Sequence, residues 1–422
     1  MICRNCKSKN FKKISNIGNQ PISSLFLKKK IQIKDYSLDL YKCNSCDLVQ
    51  LSKIPNLKDM YGSDYGYKTS VSQLMVNHLK KKIFKLNKYK VLNQKSKILD
   101  IGSNDGTFLN FFSKFKKKYD LYGIDPSASA FVDNYDKNIN VIIDFFNTKN
   151  AEKYFISKKI NFSLITSYAV FYDIEEPNEF CAGIDKILDK NGIWILEFSY
   201  FPLLLKNLTY DQICHEHCIY YSLSTFHKII SKNNLKIIDF TLNEINGGSI
   251  EVICAKKKSR FKSNTNKIEH ILHQEKKISN REFVKFNLRM ENSKKNLQLF
   301  LKNQKKKDVI GYGASTKGNV ILNYCNLSNK NISYVCDANP SKEGKFTPGS
   351  HIKIISKDKM RKIKPKYLIV LIWSFRTEVI KQEKKFIEDG GKLIFPLPVF
   401  HVVDKENYKR YLKENFTLYS FT

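Results

Sequence analysis

The sequence predicts an α/β protein of three units: a small N-terminal module built on four cysteines, a central doubly wound Rossmann-like domain, and a second Rossmann-like domain behind it. Three observations predict this. Cysteines occur as two CxxC pairs near the start of the chain. A glycine-rich turn follows an apolar run near residue 100, and another follows an apolar run near residue 310. Around these turns, apolar stretches of strand length alternate with helical patterns. The change of texture along the chain places the units at 1–62, 63–245 and 246–422.

Bulk properties bound the possibilities. At 422 residues the chain suits two or three domains. With 42% apolar and 27% charged residues it can bury sizeable cores, and it is not disordered by composition. The 73 Lys+Arg against 40 Asp+Glu give a net charge of +33, which raises the question of a polyanionic partner. The excess is mostly lysine spread over the whole chain. Runs such as Lys116–Lys118 and Lys305–Lys307 are short and lack interleaved aromatic residues, so they read as solvated surface. A zinc-knuckle protein that binds nucleic acid is the alternative from another class, but a nucleic-acid partner is not expected. The longest apolar run, Tyr367 to Trp373, is far short of a membrane span. No apolar leader follows Met1. The ten cysteines do not read as a disulfide framework, so a reducing cytoplasm and a monomer or homodimer are expected.

Cys3, Cys6, Cys43 and Cys46 form CxxC…CxxC. Each CxxC turn lets two thiolates reach one metal, and two such knuckles complete a closed tetrahedral zinc site. Four thiolates leave no open position, so the zinc is structural.

The segment Ser96–Phe108 reads as strand, tight turn and helix. Its strand ends in Asp100, and Gly102, Asn104 and Gly106 form the turn. GxGxxG would need a glycine where Asn104 sits, so a dinucleotide fingerprint is absent. An acidic residue before a single-glycine turn instead suits S-adenosylmethionine (SAM), whose amino-acid part is zwitterionic and which has no phosphates to cradle. A second strand, Leu121–Ile124, leads to Asp125, placed to accept the ribose hydroxyls. A third, Val141–Phe146, ends where Asp144 would reach the adenine amine and Phe145 would stack on it. Ser163–Ser167 gives a fourth. Acidic residues at successive strand ends are where an open α/β sheet binds ligands.

The densest chemical cluster is Tyr210–Ser222, containing His215, Glu216 and His217. Its histidines are two apart rather than four, so it is not the helical HExxH metal pattern. General acid–base chemistry is the reading, because a histidine beside a glutamate can be tuned near neutrality.

A strand-like run, Ser249–Ala255, opens the third stretch, and a long helical segment, 268–306, follows it. Then Asp308–Asn319 again reads as strand, glycine turn and helix. Its GxGxxxxG spacing is a loose phosphate-binding signature, to which Lys317 adds a cation. The next strand, Ile332–Asp337, also ends in an acidic residue. Taken alone, this unit would suit a redox dinucleotide or a purely structural lobe.

Several motifs occur together in order: CxxC…CxxC, Tyr61…Tyr65-Gly66-Tyr67 with His78, the Asp100–Gly106 turn, Asp144–Phe146, and His215–His217 with Tyr220–Ser222. Gly247–Ser249, Gly311–Gly318 and Thr347–Ile352 complete the series. In this combination the chain resembles the SAM-dependent C-methyltransferases that act on nucleotide-linked keto-deoxysugars. The resemblance implies a class I SAM methyltransferase domain in the centre and a C-terminal domain that helps hold the sugar nucleotide. It implies His217 as the base that removes the proton α to the ketone, with Glu216 orienting it and Tyr65 or Tyr67 lining the sugar pocket. Arg376, in the closing strand-turn-helix 371–378, would reach a phosphate. Two positions depart from the family pattern: Cys214 stands where it has tyrosine, and Asp173 where it has histidine. They leave open a nitrogen or oxygen acceptor on another sugar-like substrate.

Overall fold

The computed structural model describes residues 1–56, 60, 67–115 and 119–414. The N-terminal unit is an antiparallel sheet of β1 (Phe11–Pro21), β2 (Asp35–Cys43) and β3 (Val49–Leu51). Leu38 and Leu40 of β2 are both buried, as the period of a one-faced strand requires.

The central unit begins with β4 (Lys97–Ile101), β5 (Asp120–Ile124), β6 (Ile139–Ile142), β7 (Phe162–Tyr168) and β8 (Leu188–Ser199), all mutually parallel. The short β9 (Ile219–Tyr220) returns to the N-terminal sheet and pairs with β3. Next, β10 (Leu235–Asn243) and β11 (Ser249–Lys256) add antiparallel to one side, giving the order β10-β11-β8-β7-β4-β5-β6. The strand at Ser249, grouped from sequence with the C-terminal unit, therefore lies inside the central sheet, between β8 and β10. Its side chains are buried from Ser249 to Ala255, so it must be covered on both faces and flanked on both edges. The strand order reverses between β4 and β7, which opens a crevice at their carboxyl ends.

The C-terminal unit repeats this logic with β12 (Val309–Tyr312), β13 (Tyr334–Asp337), β14 (Ile354–Ser356), β15 (Tyr367–Val370), β16 (Lys392–Phe395) and β17 (His401–Val403). The order is β14-β13-β12-β15-β16-β17, parallel except for β17, with the reversal between β12 and β15. The helical segment between the units is two helices, Thr265–Glu275 and Asn280–Lys302. Phe283, Phe286, Leu297 and Leu301 of the second face the core, while Leu288 points to solvent. Among the described residues no helix is long and apolar enough to cross a membrane.

Candidate active site and structural metal centre

The four predicted thiols meet. Their sulfurs all lie within 4.8 Å of one another, with Cys3–Cys46 at 3.5 Å and Cys6–Cys43 at 3.6 Å. Tetrahedral zinc with Zn–S bonds of about 2.3 Å puts sulfurs roughly 3.8 Å apart, so the cluster has the size the ion requires. The two knuckles share one construction. Lys7 N donates to Cys3 O and Asp47 N to Cys43 O, with Lys7 and Asp47 both at positive φ.

A cavity of about 840 Å³ opens at the carboxyl ends of β4, β5, β7 and β8. Asp100, Gly102, Asn104, Asp125 and Phe145 line it, together with Glu216 and His217. Gly102 has φ +74°, and a Cβ there would lie 2.2 Å from Val170 Cγ2. The turn therefore closes tightly against the segment after β7. Asn104 N donates to Asp125 Oδ2 (2.8 Å), and Ser127 N and Oγ both donate to Asp125 Oδ1 (2.7 and 2.6 Å). The Asp125 carboxylate is thus held rigidly by its own surroundings, with one acceptor site, on Oδ2, left for a ligand. Burial raises the Asp100 carboxyl to about pKa 7, opposed by a hydrogen bond from Thr166 Oγ1 (2.6 Å). Gly106, at φ +74°, carries no cavity surface. It packs under the Tyr135 ring, whose hydroxyl donates to Asn104 O (2.8 Å) and braces the turn from behind.

Asp144 falls outside the cavity wall. The strand β6 ends at Ile142, earlier than the sequence suggests, and Asp144 Oδ2 accepts from Tyr154 Oη (2.9 Å) while Oδ1 accepts from Phe145 N (2.9 Å). Phe145 remains on the wall. Among the described residues, apart from one lysine, every charged side chain on this wall is a carboxylate, an acceptor set that fits a sulfonium cofactor carrying an amine.

The HEH segment divides its work. His217 Nδ1–H donates to Gln212 O (2.8 Å), which leaves Nε2 as the proton-accepting nitrogen. Its ring lies 4.1 Å from that of Tyr172. Burial, reinforced by the positive charge of Lys317, holds His217 down to about pKa 3 instead of near neutrality as its neighbouring glutamate suggested, so it is neutral at working pH. Glu216 Oε2 accepts from Ser23 Oγ (3.3 Å), a residue of the loop between β1 and β2. His215 turns away from the cavity to the N-terminal sheet, with Nε2 3.3 Å from Tyr36 O; it is a contact between units, not part of the cavity wall. Tyr67 lines the cavity and its carbonyl accepts from Asn104 Nδ2 (3.2 Å). Tyr61, Tyr65 and Gly66 lie outside the described residues.

Other wall residues were not legible as site residues. Glu197, at the end of β8, is contacted by His78 Nε2 (2.8 Å) and by Lys82 Nζ (2.5 Å), and Lys82 also pairs with Glu251. Burial would raise Glu197, but His78 and Lys82 outweigh it and hold the carboxyl at about pKa 2. His78 stood among the family motifs, but nothing in the sequence signalled its partner. A second, smaller cavity of about 140 Å³ adjoins the C-terminal glycine turn. It is lined by Ser24 and Phe26 of the β1–β2 loop, by Asp211, and by Ser315, Lys317 and Lys342. Arg376 faces the other way: Nη2 donates to Glu414 O (2.9 Å) and its guanidinium lies over the Tyr411 ring.

The fold and this site define a SAM-dependent methyltransferase carrying a structural zinc module. Successive stretches of the chain match three family models: a zinc binding domain at residues 3–61, a methyltransferase domain at 75–239, and a C-methyltransferase C-terminal domain at 244–398. Over 414 residues, 96% of this chain and 97% of the other, it is 26% identical to the C-methyltransferase NovU of Streptomyces niveus. Among solved structures it is similar to the plantazolicin methyltransferase BpumL (17% identity, 43% of this chain and 84% of that one, TM-score 0.35). The PH0226 protein of Pyrococcus horikoshii is also similar (14% identity, 45% and 94%, TM-score 0.34). Together these matches support a SAM-dependent C-methyltransferase whose cofactors are SAM and zinc.

Proposed function

We propose that this enzyme methylates a nucleotide-linked keto-deoxysugar on the carbon next to its ketone. The observation that carries this reading is His217, a neutral imidazole on the wall of the cavity that the SAM turn opens into, with its tautomer fixed by Gln212 O. Such a group accepts a proton from carbon only if the carbon is acidified by a neighbouring carbonyl. When bound, SAM supplies an electrophilic methyl on a sulfonium sulfur that leaves as a neutral thioether. The protein holds the two reactants in line: Asp100, Asn104 and Asp125 on the cofactor side, Tyr67, Tyr172 and His217 on the acceptor side. Glu216, anchored by Ser23, sets the position of the His217 segment. The smaller cavity, which shares Lys317 with the large one, adjoins the acceptor side and leaves room there for the rest of the sugar nucleotide.

The test is solvent deuterium exchange into nucleotide-linked 4-keto-deoxysugars without SAM, starting from dTDP-4-keto-6-deoxy-D-glucose. Exchange α to the ketone is expected in the wild type and should fall about 100- to 10,000-fold in His217→Ala, with SAM affinity retained. Absence of exchange across the panel, together with methylation of a hydroxyl or amine acceptor, overturns the reading.

A further inference from the structure

Lys317 sits on the first turn of the helix Thr316–Tyr324 in the C-terminal unit, yet it lines the large cavity of the central unit as well as the small one. The turn that carries it is rigid. Gly313 has φ +93° and no room for a Cβ against Ile372, Lys342 Nζ donates to Ala314 O (2.7 Å), and Asn319 Nδ2 donates to Ser23 O (2.7 Å). Several amides that a phosphate would need are already used. Gly313 N bonds Cys336 O (2.8 Å), Ser315 N bonds Gly313 O (3.0 Å), and Gly318 N bonds Ser315 Oγ (2.9 Å). Among the described residues Lys317 is the one lysine or arginine on the wall of the large cavity, and it is close enough to His217 for its charge to act on the imidazole.

We propose that Lys317 is a catalytic residue supplied across the unit boundary: its ammonium holds the ketone oxygen of the acceptor and stabilises the enolate formed when His217 takes the α-proton. The inference rests on the keto-sugar reading above. The step balances as follows. The α-carbon–hydrogen bond breaks and its proton goes to His217 Nε2. The bonding pair moves into the carbonyl, so the oxygen carries the negative charge and Lys317 Nζ–H donates to it. When the α-carbon takes the methyl, the pair returns and the ketone re-forms. A preorganised cation in a site poor in water is where such charge is stabilised most.

The titratable groups facing Lys317 are Asp211, Cys214 and His217 of one segment and Asp173 of the segment after β7. Burial lowers the Lys317 ammonium to about pKa 8, opposed first by Asp211 and then by Cys214 and Asp173. The charged form therefore dominates below that pH and is lost above it.

The experiment is the deuterium exchange above, with dTDP-4-keto-6-deoxy-D-glucose at saturation, in wild type, Lys317→Met and Lys317→Arg. The methionine variant should lower the saturated exchange rate roughly 100-fold with KM and SAM affinity within a few-fold. In the wild type the rate should fall above about pH 8, and the arginine variant should lose that fall. A raised KM with an unchanged saturated rate overturns the proposal and makes Lys317 an anion-binding residue. If the methionine variant does not fold, a fall retained in the arginine variant overturns the proposal equally. No exchange in the wild type with any sugar of the panel, together with methylation of a hydroxyl or amine acceptor, overturns the keto-sugar reading, and the proposal with it.

Discussion

The two glycine turns look alike in sequence and in fold, and they differ in charge. Each follows the first strand of a doubly wound sheet, sits beside the reversal of strand order, and closes through a glycine at positive φ, Gly102 at +74° and Gly313 at +93°. Both contribute to one cavity. The first brings carboxylates, Asp100 directly and Asp125 through Asn104 N. The second brings Lys317 and leaves few amides free. A repeated fold thus presents opposite signs to one reaction: one face suits a cationic cofactor, the other a developing anion. The function lives in the side chains placed after the turn rather than in the turn itself.

The comparison breaks most severely at the zinc. The strand β9 directly after the HEH segment pairs with β3, His215 contacts Tyr36, and Ser23 reaches Glu216, so the zinc module supports the acceptor side of the cavity. Metal binding in small zinc domains contributes about 10 kcal/mol or more of folding free energy. Cys43→Ser should release zinc, read by metal analysis, and abolish deuterium exchange into the keto-sugar, while SAM affinity by calorimetry stays within a few-fold. Exchange that persists without zinc would separate the module from the chemistry. The next effect lies on the first turn. Asp125→Ala removes a carboxylate that accepts three hydrogen bonds, at 2.6 to 2.8 Å. Losing bonds to a charged group costs about 1.5–3 kcal/mol, so SAM should bind roughly 10- to 100-fold more weakly, whereas Lys317→Met should leave its affinity unchanged.

Much of this was legible in the sequence, because motifs made of adjacent residues carry their own geometry. The two CxxC knuckles and the Asp100–Gly106 turn are local, and they sit where spacing alone places them. What was not legible depends on side-chain direction or on distant partners. His215 and His217 are two residues apart and face different units. Asp144 lies one residue from Phe145, but the earlier end of β6 turns it to Tyr154 and off the wall. Lys317 belonged by spacing to a phosphate signature, and only the packing of the two sheets directs it into the other unit's cavity. The Ser249 strand shows the same limit for topology, since its apolar run announces a buried strand without saying which sheet takes it.

A smaller effect tests the cofactor side through pH. Asp100 is raised to about pKa 7 by burial, and a bound cation favours its ionised form. SAM affinity should therefore climb with pH, by up to about tenfold per unit below pH 7, and level off above it. Asp100→Asn should flatten that rise. Calorimetric titrations at pH 6, 7 and 8 read both, and a wild-type affinity independent of pH would place the cofactor's charge away from Asp100.

The smallest effect lies at the seam between the units. Trp373 Nε1 donates to Asp211 Oδ2 (2.8 Å), and burial raises that carboxyl to about pKa 6 even with this donor present. The sign follows from linkage. A carboxyl whose folded pKa exceeds its unfolded value binds its proton more tightly when folded, so stability falls as pH rises through that window. Trp373→Phe removes the donor and raises the folded value further. It should therefore be nearly neutral toward Asp211 below about pH 5, where the folded carboxyl is protonated in wild type and variant alike, apart from a constant packing loss. Above about pH 7 the variant should lose a further ~1.5 kcal/mol, the low end of what a hydrogen bond to a charged group is worth. Urea unfolding of both proteins at pH 4.5 and pH 8 measures the difference. A penalty that grows with pH would show that the seam is held through an ionised Asp211, the same carboxylate that acts on Lys317. An equal penalty at both pH values would make Trp373 packing alone, and would leave Lys317 to be positioned by its own turn.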